Sequence, residues 1–212
     1  MTTVLLTGFE PFAGDATNPS GDAVRRVAQE WDGPEHLVTA VLPVEFDGAR
    51  RSLLQLIATH DPDVVVTTGL AGGRTGVTIE RIAVNLLDAR IPDNAGDQPV
   101  DVPSSPGGPA AHFATLPVKA IAAAITDAGI PATVSHSAGT FVCNHVMFTA
   151  LDATAPADHR RAGFIHVPYA TEDAPSGQPS LPLVDIVRAL RIALRTALDT
   201  DVDASYAAGT IA

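Results

Sequence analysis

Short apolar runs of strand length alternate along this chain with longer stretches in which apolar residues return every three or four positions. That alternation is the pattern of strands and helices laid around a common sheet. Val4 to Thr7 reads as the first strand, and Pro19-Ser20 offers a cap for a helix whose Val24, Val27, Ala28 and Trp31 fall at helical spacing. Leu37 to Val44 is a second strand. Phe46 to Thr59 places Leu53, Leu54 and Ile57 at helical intervals, and Asp61-Pro62 stops it before the strand Val64 to Thr68.

A glycine loop, Gly69 to Gly76, leads into Val77 to Leu86, where a period of two sets Thr78, Glu80, Ile82 and Val84 on one face. Residues 92 to 111 hold five prolines and three glycines, so they read as a long ordered loop of the kind that often carries function. Val118 to Ala128 is an Ala-rich helix, Ala132 to Ser135 a strand, Thr140 to Leu151 a helix opening after Ala138-Gly139, and Gly163 to Val167 the closing strand. The last strong element, Leu183 to Leu198, sets Leu183, Ile186, Val187, Leu190 and Leu194 opposite a solvated stripe of Arg188, Arg191 and Arg195. Residues from Thr200 onward carry no assignable pattern, and 201 to 212 read as a tail. The whole implies a single-domain, three-layer α/β/α sandwich around a mostly parallel twisted sheet.

Composition narrows the function. A chain of 212 residues with 46% hydrophobic content can bury one sizeable core. A net charge of -11 with no basic run repels nucleic acid and anionic membrane surfaces, leaving small molecules or peptides as partners. No run of 18 apolar residues occurs, and the chain starts without a basic region and cleavage site, so a cytoplasmic location is expected. The lone cysteine excludes an intramolecular disulfide and suits a reducing compartment.

That cysteine, Cys143, falls in the first turn of a helix behind a small-residue turn, Ser135 to Thr140. Unpaired N–H groups and the positive helix end are expected to lower its pKa and to offer donors to an oxyanion. A histidine must serve as its base. His145, two residues along the same helix, points away and reads as a packing residue. His166 ends the run Gly163-Phe164-Ile165 at the carboxyl edge of a strand, where open α/β sheets bind ligands. His136 is the second choice. Glu80 sits on an apolar strand face and needs a partner, which is either Arg74, Arg81 or Arg90 in an ion pair or a histidine that it orients.

Two long segments are specific: Gly69-Leu70-Ala71-Gly72-Gly73-Arg74-Thr75-Gly76-Val77-Thr78-Ile79-Glu80-Arg81-Ile82-Ala83-Val84-Asn85 and Ser135-His136-Ser137-Ala138-Gly139-Thr140-Phe141-Val142-Cys143-Asn144-His145. Both resemble signatures of the pyroglutamyl peptidase I (pyrrolidone-carboxylate peptidase) family. So do Thr7 to Phe12 with Asn18-Pro19-Ser20, Asp88 to Asn94, and Phe164 to Pro168, in the same order. The resemblance implies hydrolysis that removes an N-terminal 5-oxoproline from peptides through a thioester, with Cys143 as nucleophile, His166 as base and Glu80 orienting it. It implies Arg90 near the reaction centre, Phe9 and Phe12 holding the lactam ring, and Asn18, Phe141 and Val142 lining the pocket, where they also suit a turn former and core residues. It implies no metal or other cofactor, and a homotetramer. Leu70 departs from the glutamine the family often has there, which bears on ring recognition. A class I glutamine amidotransferase, which also uses Cys, His and Glu, fits poorly: Phe141-Val142-Cys143-Asn144-His145 lacks the flanking glycines, and Pro168 occupies the would-be glutamate position.

Overall fold

The computed structural model describes residues 1–157 and 159–209. In chain order its elements are β1 (Thr3–Phe9), α1 (Pro19–Glu30), β2 (His36–Leu42), α2 (Phe46–His60), β3 (Val64–Leu70), β4 (Val77–Glu80), β5 (Ile82–Val84), β6 (Ala111–Phe113), α3 (Val118–Asp127), β7 (Ala132–Ser135), α4 (Val142–Thr154), β8 (Arg161–Val167), β9 (Tyr169–Ala170), β10 (Ser180–Leu181) and α5 (Leu183–Asp199). Six strands form the central sheet in the order β2-β1-β3-β8-β4-β7. Neighbours run parallel except β4 against β8, so the sheet is mostly parallel, as the alternation of elements implies.

The strands are buried on both faces, and their side chains divide strictly by the pleat. Val4, Leu6, Val64, Val66, Val77, Ile79, Ile165 and Val167 pack with the apolar sides of α1, α3 and α5. Leu5, Phe9, Val65, Ala162 and Phe164 pack with α2 and α4 on the other face. The result is the three-layer α/β/α arrangement.

Local chemistry fixes several boundaries. The cap of α1 is Asn18 rather than the Pro19-Ser20 pair, because the Asn18 side chain accepts from Ser20 N–H at 3.1 Å and Pro19 takes the first helical position. Ser20 Oγ instead accepts from Phe9 N–H at 3.1 Å, tying the end of β1 to the start of α1. The strand expected over Val77 to Leu86 breaks at Arg81, whose N–H donates to Ser135 O and whose carbonyl accepts from Ala114 N–H. Thr78 and Glu80 therefore stay in the main sheet, while Ile82 and Val84 leave it to pair with β6 in a two-stranded ribbon. That ribbon takes its second strand, Ala111–Phe113, from the end of the loop 92 to 111, which is further ordered by a bridge between Leu87 and Val102. α4 opens at Val142, two residues later than its sequence pattern. The stripe of α5 is less solvated than expected, since Arg191 and Arg195 pair with Asp32 and Glu35. Within the tail, residues 201–209 form no helix or strand, although Asp203 accepts from the N–H groups of Lys119 and Ala120 at the start of α3. The rest of the tail, 210–212, lies outside the described residues.

Candidate active site

β3 and β8 run side by side with Gly69 paired to His166, and paired residues of adjacent strands present their side chains to the same face. A Cβ built on Gly69 would stand 2.9 Å from Cys143 Sγ and 2.9 Å from Phe164 Cζ. The thiol thus hangs over the glycine, on the His166 face and one strand spacing from it. Any larger residue at 69 would push it away. β4 approaches β8 from the other side, antiparallel, with Glu80 opposite Phe164 and two pairs along from Thr78 opposite His166. From there Glu80 Oε1 accepts from His166 Nδ1 at 2.7 Å and lies 3.0 Å from Arg74 Nη1 in an ion pair. The sequence left an ion pair and a histidine as alternative partners for Glu80; the carboxylate takes both. Because an ionised carboxylate only accepts, the proton of the neutral imidazole is fixed on Nδ1 and Nε2 keeps its lone pair.

The helix that carries Cys143 differs from the others at its N-terminus. Asn18 caps α1, Asp93 accepts from Phe46 N–H at the start of α2 (2.8 Å), Asp203 meets α3, and Glu172 meets Leu183 N–H of α5. Among the described residues, only the first-turn amides of α4 meet no side-chain acceptor from another residue. They stand beside Cys143, whose own N–H meets the thiol.

These amides open onto a cleft of about 350 Å³. Phe9, Phe12, Asn18, Leu70, Arg90, Phe141, Val142 and Cys143 all line it, so eight of the ten residues singled out in the sequence converge on one surface. Glu80 and His166 are buried and are not among the residues lining the cleft. Phe141 packs at 5.3 Å from Phe12 and edge-on at 5.2 Å to Phe46, making one wall aromatic. Asn18 is both cap and lining residue, its Nδ2 donating to Glu10 O at 2.8 Å.

Comparison with known proteins decides what this surface belongs to. The family model described as "Pyroglutamyl peptidase" matches residues 2–200. The chain belongs to the pyroglutamyl peptidase family. It is 49% identical to the pyrrolidone-carboxylate peptidase of Chromobacterium violaceum and 45% identical to that of Clavibacter michiganensis, each over the full length of both chains. The crystal structure of Bacillus amyloliquefaciens pyroglutamyl peptidase I superposes with a TM-score of 0.92 at 45% identity, over 96% of this chain and 100% of that one. Pyrrolidone carboxyl peptidase from Thermococcus litoralis gives 0.87 at 41% identity, over 94% of each chain.

Within this family member the thiol does not behave as its helix position suggests. Burial, followed by the negative charge of Glu80, pushes Cys143 up to about 12, outweighing the lowering by Arg74 and by the thiol's backbone hydrogen bond. Burial also lowers His166, against the raising effects of its hydrogen bond to Glu80 and of that residue's charge. The lowering expected from the helix end is thus opposed by burial and by the charge of Glu80. One helix end cannot offset removal from water when a buried carboxylate lies close.

The other histidines separate from the site. His145 is buried with Nδ1 at 2.6 Å from Ser104 Oγ and its ring against Phe46, and burial lowers it to about 4. It pins the proline-rich loop to α4. His136 lies in the turn after β7 and lines no part of the cleft. Sequence reasoning missed Asp15, Tyr169, Val44 and Gly72 on the cleft wall. It also missed Asn144, whose fully buried side chain accepts from Val84 N–H and donates to Val84 O and Leu86 O. Asn144 adjoins Cys143 in the motif, but a clamp on an edge ribbon leaves no periodic signal. No group of three metal-ligating side chains occurs among the described residues.

Proposed function

We propose that this chain is a cysteine peptidase that removes N-terminal pyroglutamate from peptides, with Cys143 as nucleophile, His166 as general base and acid, and Glu80 holding His166. The observation that carries this reading is the stack on one sheet face: Cys143 over Gly69, Gly69 paired with His166, and His166 bonded to Glu80 at 2.7 Å.

Substrate enters with its pyroglutamyl ring against Phe9, Phe12, Phe141 and Val142, with Asn18 and Leu70 completing the slot. The ring is neutral and flat, which suits an apolar wall with a few polar groups. Sγ attacks the carbonyl carbon of the pyroglutamyl residue as its proton passes to His166 Nε2. The carbonyl oxygen becomes an oxyanion held by the first-turn α4 amides, with Arg90 adding positive charge. His166 returns the proton to the departing amine, the C–N bond breaks, and a thioester remains. Water, deprotonated by His166, then attacks the thioester, releasing pyroglutamate and restoring the thiol. No step requires a metal or cofactor.

The same proposal extends to a single catalytic domain acting in the cytoplasm, where a reducing milieu keeps Cys143 reduced, and to a homotetramer. Exposed Phe113 and Val100, at 68% and 63%, support assembly through the outer ribbon and loop. Among the described residues, no helix is long and apolar enough to cross a membrane.

The test is release of a chromogenic amine from its pyroglutamyl amide, compared with prolyl and glutaminyl amides of the same leaving group. We expect discrimination on the order of 10⁴-fold in kcat/KM, the scale at which polar mismatches are rejected, eroded by Phe12→Ala and kept or sharpened by Leu70→Gln. Cleavage of prolyl and pyroglutamyl amides within tenfold of each other would overturn the substrate assignment. Sedimentation of the purified chain as a monomer would overturn the tetramer.

A further inference from the structure

Two oppositely charged residues line the cleft, Arg90 and Asp15, and they are anchored to different segments of the fold. Arg90 follows a segment stapled to the start of α4: Asp88 N–H donates to Thr140 O at 3.1 Å, and Thr140 Oγ1 donates to Asp88 O at 2.8 Å. That is the oxyanion side. Tyr169 lies three residues beyond His166, where β8 leaves the sheet, and its ring is so close to Gly72 that a Cβ there would stand 3.0 Å from Cε2. Ala71 N–H donates to Val167 O at 2.9 Å, joining the same two segments. In the proposed mechanism that is the side on which His166 would give its proton to the departing amine.

Asp15 meets this second side. Its loop turns through Ala13 at φ 55° and Gly14 at φ 88°, a left-handed pair that a non-glycine residue enters only at a cost in strain. The turn delivers the Asp15 carboxylate to the cleft, where Tyr169 Oη donates to Oδ2 at 3.4 Å. Tyr169 is its only side-chain partner among the described residues. Burial first, and Asp15 second, raise the Tyr169 phenol above its ordinary value, so it stays a donor through the neutral range. A carboxylate with one long hydrogen bond retains acceptor capacity. Pyroglutamate itself is neutral and supplies no countercharge for it.

We propose that Asp15, aimed by Tyr169, receives the side chain of the residue that follows pyroglutamate and selects cationic over acidic residues there. The proposal rests on the pyroglutamyl-peptidase reading and names the leaving-group specificity of that site. A half-exposed pair of this kind gives a modest preference that salt weakens.

The experiment measures kcat/KM for pyroglutamyl-arginyl, pyroglutamyl-alanyl and pyroglutamyl-glutamyl peptides, all with amidated C-termini so that no terminal carboxylate reaches Arg90. At low salt the arginyl-to-glutamyl ratio should be roughly fivefold to tenfold, falling toward unity at high salt. Asp15→Asn should abolish the ratio, Asp15→Glu should keep its sign, and Tyr169→Phe should reduce it. A ratio that Asp15→Asn leaves unchanged, or one that favours the glutamyl peptide, overturns the proposal. Turnover of the alanyl peptide keeps the two levels apart: its presence with an Asp15-insensitive ratio sinks this inference alone, whereas no turnover of any of the three peptides sinks the peptidase reading and this inference with it.

Discussion

The two faces of the central sheet are built from the same strands, yet they hold different chemistry. Toward α1, α3 and α5 the inward residues are Val, Ile and Leu almost without interruption. Toward α2 and α4 the alternate positions of those strands carry Thr67, Thr78, Glu80 and His166, all buried, and Asn144 and His145 of α4 are buried as well. Buried polar groups are costly unless bonded. The cost is met here through shared partners, with one oxygen of Glu80 serving His166 and Arg74, while the other, Oε2, is buried without a partner. The first face makes the fold stable; the second carries the buried Glu80–His166 pair and the thiol over Gly69. Substitutions on the two faces should therefore move different observables.

The largest effect is expected at the nucleophile. Cys143→Ala should lower kcat by about 10⁴-fold or more, as loss of a covalent nucleophile does in such sets, and should leave the urea midpoint nearly unchanged because the half-buried thiol fills little space. One equivalent of iodoacetamide should reproduce the loss, since there is no second thiol. Full activity of the stoichiometrically alkylated protein would remove Cys143 from the mechanism.

Next comes the base. His166→Ala should reduce kcat by at least about 10²-fold, the lower range for lost general-base catalysis. His166 accepts a proton only when neutral, and burial lowers its pKa from the ordinary 6.5. In the wild type, activity should hold as pH falls through 6.5 and drop only below it. Glu80→Gln removes the group that raises His166, so its acid limb should shift to still lower pH while its maximum falls. An acid limb above 6.5, or one that Glu80→Gln moves upward, would contradict this arrangement. On the opposite face, Leu190→Ala in α5 should show the reverse profile. Its side chain is fully buried, so unfolding free energy should drop by about 2–5 kcal/mol while kcat at a permissive temperature stays within twofold.

How far the sequence anticipates these faces depends on whether a feature is local. α5 and β7 are legible because amphipathic spacing and a short apolar run are written in consecutive residues. Cys143 and His166 are legible from strand and helix edges, and their motifs sharpen them. Arg81 breaks its strand for a reason no local pattern holds: its backbone is claimed by Ser135 and Ala114, residues distant in the chain. Asp15 and Tyr169, separated by 154 positions, meet only because β1 and β8 end at the same edge of the sheet. The thiol's raised pKa is likewise invisible from its helix position, since it depends on Glu80 arriving from another strand.

The smallest effect, and the one that separates two histidines on the same face, concerns His145. It stands two residues from Cys143, but burial first and Arg50 second lower its pKa to about 4, with Asp47 opposing. The folded state thus keeps it neutral where the unfolded chain, near 6.5, binds a proton. A group depressed in this way leaves stability untouched above the unfolded pKa and withdraws it as pH falls toward the folded one. Between about 6.5 and about 4 the slope is roughly 1.4 kcal/mol per pH unit, for a total of at most about 3 kcal/mol. His145→Gln keeps a polar partner for Ser104 but cannot titrate. Urea unfolding at pH 7.5 and 4.5 should show the wild type losing about 2–3 kcal/mol more than this variant between the two conditions, with kcat of the variant at pH 7.5 changed far less than in His166→Ala. Equal losses in both proteins would mean that the Ser104 contact holds a protonated ring as readily as a neutral one. A kcat collapse matching His166→Ala would return His145 to the candidates for the base.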